Sequence, residues 1–272
     1  MRDKPPLSIL IPWYQRDELR VTLAANAPVF RTHNAEILVL NCGGSSERLR
    51  GLITASGVTG IRQLDLAVTR FNKSLALNIG LAHARADTIF ILDADIVLLG
   101  HLPVEALDER SFVTIESVQE SVPFEAKAAP SAKSAFLELT FRGGVKIRHQ
   151  LSVRDCLGNM RAGPGLLLAK KADLLNIHGY NSDLDSWGWE DDDVLVRLQY
   201  ALGLRRIQSG AALHLTHGDN QRFLIGSRSQ SDQRNFIKCC RNYNNGLFLG
   251  SYPSDIARLS DQVTETRVNE NP

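Results

Sequence analysis

Residues 88–95 read TIFILDAD: a mainly apolar run from Thr88 to Leu92 ends in Asp93-Ala94-Asp95. A short apolar run without polar alternation is typical of a strand that is buried on both faces. Such a strand would carry two carboxylates to the edge of the core. Hard divalent cations prefer oxygen ligands and are often held by one or two carboxylates together with substrate phosphates. The run therefore predicts a buried strand with a candidate cation site at its carboxyl end. The alternative is a solvated turn that happens to contain two aspartates.

Strands and helices alternate on both sides of this run. Strands are predicted over Leu7–Trp13, Ala35–Asn41 and Phe112–Ile115, and helices over Asp17–Asn26, after Ser45 or Ser46, and over Lys73–Arg85. Alternating strands and helices imply crossover connections. The predicted fold class is therefore α/β, as a single Rossmann-like domain with a mostly parallel central sheet. Ligands of such sheets bind beyond the carboxyl ends of the strands, so we expect Asn41 and Asp93 to face one crevice.

The second half of the chain is less regular. A helix broken at Gly143-Gly144 and an ordered loop are both open for Ser131–His149. Beyond this segment, the sequence predicts a turn at Gly163-Pro164-Gly165, a strand over Leu166–Lys170, helices over Asp173–Ile177 and Asp191–Leu202, and a strand over Ala211–His217. The last dozen residues are predicted to be disordered.

Composition narrows the class of protein. The 272 residues are 43% hydrophobic and 22% charged, with a net charge of +1, which is a globular balance that argues against nucleic-acid binding. The four cysteines show no CxxC spacing, so neither a disulfide framework nor a thiolate zinc site is expected. No apolar run approaches the roughly 18 residues that span a bilayer. These features predict a cytoplasmic protein without a transmembrane segment, and peripheral contact with the inner face of a membrane stays open.

Basic residues recur in the segment after His217. A solvated face is one interpretation, and a surface for the phosphates of a ligand, an anionic acceptor or a membrane is the other. The residues are Arg222, Arg228, Arg234, Lys238 and Arg241.

Residues 187–193 read WGWEDDD and are the most distinctive cluster of the chain. Acidic residues at a helix N-terminus are favoured by the helix dipole, which accounts for one or two of the four acids. The alternative is a sugar site, because indole rings stack on the apolar face of a pyranose and a carboxylate beside them can deprotonate a hydroxyl group.

His214 and His217 form the third candidate site. In a continuous strand their side chains would point to opposite faces, so both could bind one metal ion only if the chain bends. Imidazole accepts Mn²⁺ and similar metals. A structural role for each histidine is the alternative, and His217 is the preferred ligand because it enters the polar Gly218-Asp219-Asn220 loop.

These motifs, in this order, resemble those of the inverting GT-A glycosyltransferases. The resemblance is closest to the β-1,4-galactosyltransferase group and to the bacterial capsule and chondroitin polymerase transferases of family 2. It extends over approximately Leu7 to Phe223. The segments that carry it are IPWYQR at 11–16, FNKSLALNIG at 71–80, the DxD motif at 93–95, GPG at 163–165, WGWEDDD at 187–193, and His217 followed by Arg222-Phe223.

The resemblance implies a role for each matching residue. Asp191 would be the catalytic base, and Glu190 would bind hydroxyl groups of the donor or acceptor. Trp187, Trp189 and Asp192 would bind the acceptor. The metal ligands would be Asp95, His217, Asp93 and His214. The residues that would bind the nucleotide-sugar donor are Pro12, Trp13, Tyr14, Arg16, Asn41, Asn72, Lys73, Asn78, Asp93, Gly163 and Gly165.

The implied activity is metal-dependent, inverting transfer of a hexose or N-acetylhexosamine from a UDP-sugar, with Mn²⁺ or Mg²⁺ as cofactor. The acceptor would be a hydroxyl group of a polysaccharide, another glycan or a natural product. Residues 1–115 would form the donor half and residues 116–223 the acceptor and catalytic half of one domain. Residues 224–272 would form a basic C-terminal extension.

The sequence departs from the family at two points, and two other functions stay open. The double glycine between the second tryptophan and the glutamate is missing, and the Gly-Gly turn is Gly-Pro-Gly here. A nucleotidyltransferase that makes nucleotide-sugars would carry a glycine-rich loop after the first strand, where this chain reads PWYQRDE. A catalytically silent carbohydrate-binding protein on the same fold is the second alternative.

Overall fold

A computed structural model describes residues 4–122, 133–140, 144, 146–154, 160–217 and 226–270. Its first half consists of β1 (Ser8–Trp13), α1 (Leu19–Thr32), β2 (Glu36–Cys42), α2 (Ser46–Ser56), β3 (Ile61–Leu66), α3 (Lys73–His83), β4 (Thr88–Ile91), β5 (Ile96–Leu99) and β6 (Ser111–Glu120). Its second half consists of β7 (Lys133–Thr140), β8 (Lys146–Arg154), β9 (Met160–Lys170), α4 (Lys171–Asn176), α5 (Glu190–Leu202), β10 (Arg205–Gln208), β11 (Ala211–His214), α6 (Arg228–Asn244), α7 (Tyr252–Leu259) and β12 (Val263–Val268).

These strands form one sheet, in which nine follow the order β12-β3-β2-β1-β4-β9-β6-β11-β5. Off this path, β10 pairs with β6, and β8 pairs with both β7 and β9. The strands from β3 to β4 run parallel to one another, whereas β12, β9 and β5 are antiparallel to their neighbours. The predicted α/β single domain is therefore confirmed. The sheet is mixed and not purely parallel, because β12 and β5 at its two ends and β9 within it run antiparallel to their neighbours.

Helices cover both faces of the sheet, as the apolar runs of the central strands require. One apolar cluster joins β1 and β2 to α1 and α2, with Leu23 and Ile53 fully buried. The other joins the opposite face to α3, α5 and α7, and Leu77 and Leu195 lie in it. None of the helices in the described ranges has both the length and the apolar character that crossing a bilayer requires.

Three segments differ from the sequence prediction. The segment Ser131–His149 was expected to be a broken helix or a loop, but it contains β7 and the start of β8, which pair in antiparallel fashion. Its sequence KSAFLELT places Ala135, Leu137 and Leu139 at every second position, and this alternation is typical of a strand. The Gly-Pro-Gly segment lies inside β9, where the pairing with β6 shifts register, and such a bulge accepts a proline.

The third difference concerns the C-terminal segment. The last dozen residues were expected to be disordered, but β12 pairs with β3 along its whole length. A bidentate ion pair between Arg62 of β3 and Glu265 of β12 holds the two strands together, with N–O distances of 2.8 and 2.7 Å. The segment after residue 224 therefore contributes a strand to the central sheet.

Candidate active site

Three side chains that could hold a metal ion meet at the start of β5. The ligand atoms of Asp95, His214 and His217 all lie within 4.8 Å of one another. His217 Nε2 lies 3.1 Å from Asp95 Oδ2, and His214 Nε2 lies 3.7 Å from it. All three side chains are nearly buried, with at most 12% of any one exposed. Two imidazoles and one carboxylate fit Mn²⁺ better than Mg²⁺, because Mg²⁺ strongly prefers oxygen ligands.

The two histidines converge because β11 ends at His214. The backbone N–H of Leu215 donates to the backbone carbonyl of Asp95 at 2.8 Å. Two residues later, the His217 ring contacts the Asp95 side-chain carboxylate. The predicted strand through His217 is therefore wrong, and the bend that joint binding of one ion requires is present. Residues 218–220, Arg222 and Phe223 lie outside the described residues.

Glu120, at the end of β6, orients one of these histidines. Its Oε2 lies 2.6 Å from Nδ1 of His214, which leaves Nε2 to face Asp95. A carboxylate behind a metal-binding imidazole fixes the ring and raises its basicity. Glu120 was not among the predicted site residues, because this strand was predicted to end at Ile115. The pairing of β6 with β11 places Glu120 beside His214.

Lys73 connects the DxD corner to the acidic cluster. Its Nζ lies 2.9 Å from Asp93 Oδ1 and 3.0 Å from Asp191 Oδ2, and its side chain is only 11% exposed. Asp93 therefore pairs with Lys73 and is not one of the three converging ligands. The second oxygen of Asp191, Oδ1, is buried and accepts no hydrogen bond from the described residues. Asp191 thus presents one unoccupied acceptor atom while Lys73 holds the other.

Burial changes the acidity of this cluster. Burial and repulsion from Asp191 raise the pKa of Glu190 to about 8, although Lys73 acts against this rise. Burial also raises the pKa of Asp191, and Lys73 again opposes the shift. At Asp95 the balance is reversed: burial acts to raise the pKa, but hydrogen bonds from His214 and His217 outweigh it and hold the pKa well below the usual range. Burial therefore favours the protonated form of Glu190, whereas the two histidines keep Asp95 ionised.

The four acids in the first turn of α5 have different roles. Asp193 is buried, forms an ion pair with Arg197 at 2.8 Å and accepts a hydrogen bond from the Tyr243 hydroxyl at 2.8 Å. It therefore serves the fold. Glu190 and Asp191 lie at the Lys73 end of the cluster, and Asp192 lies between these acids and Asp193 along the chain.

The loop that carries Trp187 and Trp189, the tryptophan loop, packs on α6. The guanidinium of Arg228 lies 3.9 Å from the ring centroid of Trp187, and Trp189 packs against Phe236 with ring centroids 4.7 Å apart. Ser231 exchanges two hydrogen bonds with the backbone of Trp187. Both tryptophans are half-buried, and α6, which was assigned only a basic surface by sequence analysis, forms the support beneath them.

The residues assigned to the sugar donor fall into two groups. Tyr14 and Phe71 stack with centroids 5.6 Å apart beside the carboxyl ends of β1 and β2, and both are partly exposed. Trp13, in contrast, is fully buried and donates its indole N–H to the carbonyl of Arg16 at 2.8 Å. Asn41 bonds to Gly44 and to Asp65, so its amide shapes the loop after β2.

Two asparagines of the predicted donor motif have local structural partners. Asn72 caps α3 by accepting from Leu75 N and donates to the carbonyl of Ser182. Asn78 is fully buried and bonds to Tyr180 and Asp255. Because its amide is enclosed, Asn78 cannot contact a ligand in this structure. The matching FNKSLALNIG segment therefore contributes Lys73 to the crevice and Asn78 to the support behind it.

Comparison with known proteins agrees with this geometry. Residues 157–217 match a family model described as the N-terminal domain of galactosyltransferase, a region that contains the tryptophan loop and both histidines. S. aureus TarS 1–349 in complex with UDP superposes with a TM-score of 0.53 at 13% identity, over 86% of this chain and 63% of that one. The mannosyltransferase PcManGT from Pyrobaculum calidifontis, in complex with GDP-Man and Mn²⁺, superposes with a TM-score of 0.50 at 14% identity, over 88% of this chain and 65% of that one.

The chain has the GT-A glycosyltransferase fold. The predicted resemblance to this class is confirmed by the fold and by the family model over residues 157–217. No curated protein matches the sequence. The GT-A chain spans less than two thirds of the length of TarS 1–349 and of PcManGT, and 36% of a longer TarS structure.

Proposed function

We propose that this protein is a metal-dependent glycosyltransferase that moves a sugar from a nucleotide-sugar to an acceptor hydroxyl group with inversion. The observation that carries the proposal is the juxtaposition of two sites. Asp95, His214 and His217 converge within 4.8 Å, and Lys73 joins the neighbouring Asp93 to Asp191. A metal site and a candidate base therefore lie at opposite ends of one short chain of contacts.

The candidate metal ligands are suited to a nucleoside diphosphate as the leaving group. Asp95 and the two histidines would hold Mn²⁺, and Glu120 would keep His214 oriented toward the ion. A bound Mn²⁺ would supply Lewis-acid stabilisation of the nucleoside diphosphate as it departs. Lys73 is buried beside Asp93, so its charge would also lie close to the diphosphate.

Asp191 is the residue that we propose to accept the proton of the acceptor hydroxyl. Lys73 holds its Oδ2, and 20% of the Asp191 side chain is exposed, so an acceptor hydroxyl group could reach the carboxylate. Burial raises the pKa of Asp191, which makes it a stronger base than a solvated aspartate. The activated hydroxyl group would attack the anomeric carbon from the face opposite the leaving diphosphate, which inverts the configuration. Trp187, Trp189 and Asp192 would border the acceptor.

The proposed donor is a UDP-sugar carrying galactose, N-acetylgalactosamine, glucose or N-acetylglucosamine. The resemblance of residues 11–16 to the uridine-binding segment of galactosyltransferases supports uridine. PcManGT, in contrast, is described in complex with GDP-Man, so GDP-mannose belongs among the donors to be tested.

The test is hydrolysis of these nucleotide-sugars by the purified protein, with Mn²⁺ and with a chelator. We expect one donor to be consumed only with metal. Asp95→Ala should abolish this metal-dependent turnover, and Asp191→Asn should lower it by roughly 10²–10⁴-fold because a general base contributes on that order. Asp87→Ala and Asp87→Asn are matched controls, because this aspartate is 85% exposed and lies outside the site.

Each failure has a distinct meaning. Turnover that persists in chelator would contradict the metal dependence. Donor binding without turnover of any donor would favour a silent carbohydrate-binding protein. Release of pyrophosphate from a nucleoside triphosphate and a sugar phosphate would favour the nucleotidyltransferase alternative.

A further inference from the structure

Asp95, one of the three candidate metal ligands, directly precedes β5, a strand at the edge of the sheet. β5 is the last strand in the sheet order, and only β11 pairs with it among the described strands. In that pairing Ile96 lies opposite His214, so β5 and β11 bring Asp95 and His214 together. The backbone of Asp95 faces β11, because its carbonyl accepts from Leu215 N. The outer edge of the same segment has no neighbouring strand.

Two buried side chains of α1 occupy that outer edge. The Thr22 hydroxyl donates to the carbonyl of Ala94 at 2.9 Å. The Asn26 amide donates to the carbonyl of Ile96 at 2.9 Å and accepts from the N–H of Leu98 at 2.8 Å. The three backbone groups belong to alternate residues, which is the spacing along one edge of a strand. Thr22 and Asn26 therefore bond to β5 as a neighbouring strand would.

Packing alone does not explain why threonine and asparagine stand at positions 22 and 26. Thr22 and Asn26 are four residues apart on one face of α1, and both are fully buried between apolar neighbours such as Leu19 and Leu23. An apolar residue would serve ordinary packing at either position. Burying a polar side chain is unfavourable unless it is hydrogen-bonded, and here both bond to the strand beside the DxD motif.

We propose that Thr22 and Asn26 are positioning residues for the metal site, and this rests on the proposed function of Asp95 as a metal ligand. β11 is fixed on its other side by β6, whereas α1 is the element that bonds to the outer edge of β5 among the described residues. The bonds from α1 therefore set where Asp95 stands relative to His214 and His217. Outer partners of metal ligands typically change metal affinity by about 10- to 100-fold when they are removed.

The test is Mn²⁺ binding by the intact protein, followed by the electron paramagnetic resonance signal of free Mn²⁺. Thr22→Val keeps the shape but removes the hydroxyl group, and we expect the dissociation constant to rise by about tenfold. Thr22→Ser keeps the hydroxyl group and should bind like the wild type. Thr114→Val is the matched control: it removes a buried hydroxyl of β6, which accepts a hydrogen bond from Arg206 of β10. It should leave Mn²⁺ affinity unchanged even if it lowers Tm.

Asn26→Asp is the second variant. It keeps the oxygen that accepts from Leu98 N but loses the donor to Ile96, so it should also weaken Mn²⁺ binding. The proposal is overturned if the folded variants bind Mn²⁺ like the wild type while only Tm falls. A wild type that binds no Mn²⁺ would instead contradict the metal site of the proposed function, and this inference with it.

Discussion

At the scale of single residues, Gly165 shows why a position in the site has no side chain. A Cβ atom at this position would lie 2.5 Å from Oδ2 of Asp191 and 3.1 Å from Nζ of Lys73. Contacts this short are avoided by real Cβ atoms, so any larger residue must displace the ion pair. The absence of a side chain at Gly165 therefore leaves room for the Asp191 carboxylate.

We predict that Gly165→Ala lowers turnover while the protein still folds. The added methyl group pushes the Asp191 carboxylate out of place, and a displacement of about 1 Å can cost on the order of 10²-fold in rate. Steady-state turnover with the donor identified above checks this. Gly51→Ala is the control, because a Cβ there meets no atom within 4 Å. Equal turnover in both variants would show that Asp191 tolerates the displacement.

Single residues also show what the sequence could not give. The DxD motif and the WGWEDDD cluster singled out Asp93 and Asp191, and the structure brings both carboxylates to Lys73. Whether an amide faces a ligand or a neighbouring element is not encoded in a motif. Asn78 matched a donor-binding pattern but is enclosed by Tyr180 and Asp255, which approach from distant parts of the chain.

At the scale of elements, α6 holds the tryptophan loop in an unfavourable backbone conformation. Ser186 and Trp189 have φ values of 67° and 72°, a region that side chains other than glycine rarely adopt. Asn235 donates to the carbonyls of Asp185 and Gly188, at 3.1 and 2.8 Å, and is fully buried. The helix therefore compensates for strain directly before the candidate base.

We predict that Asn235→Ala destabilises this loop and lowers turnover. Two buried carbonyls lose their donor, and leaving a buried polar group unpaired costs about 1–3 kcal/mol. Urea unfolding and turnover check the two effects. Asn244→Ala is the control, since it makes the same change at an exposed position of the same helix. A variant that loses stability but keeps full turnover would show that α6 does not position the base.

Elements with a strong local signal were predictable, and elements that depend on distant partners were not. The apolar runs of β1, β2 and β4 and the caps of α2 and α5 identify these elements locally. β5, β10 and β12 are short, and each pairs with a strand that is distant along the chain. Their pairing, and with it the mixed character of the sheet, follows from tertiary contacts that a single sequence does not display.

At the scale of the whole molecule, one buried ionic network connects five parts of the chain. Glu36 of β2 accepts from Ser8, from Arg62 and from the backbone and side chain of Arg85. Arg62 in turn binds Glu265 of β12. Burial acts to raise the pKa of Glu36, but hydrogen bonds from Ser8 and Arg85 outweigh it and lower the pKa below its usual 4.5.

We predict that Glu36→Gln destabilises the protein most at neutral pH. A carboxylate whose pKa is lower in the folded state stabilises it above the unfolded pKa, and this contribution is lost as pH falls through the folded pKa. The difference from the wild type should be about 3–5 kcal/mol near pH 7, as for a broken buried ion pair, and should shrink below about pH 4.5. Urea unfolding across this range checks it.

Glu109→Gln is the control for this measurement, because the Glu109 side chain is 94% exposed. It should change stability little at any pH. A Glu36→Gln deficit that stays constant from pH 7 to pH 4 would contradict the assigned role of the carboxylate charge.

The pairing of β12 with β3 also bears on how the chain is completed during synthesis. Arg62 and Glu265 are 203 positions apart, so β3 has no partner on its outer edge until residues 263–268 have left the ribosome. An open strand edge is a template for other chains, and contacts this distant in sequence form slowly. The nascent protein therefore carries this side of its sheet unfinished for most of translation, and a product that stops before residue 263 would be released with that edge exposed to aggregation.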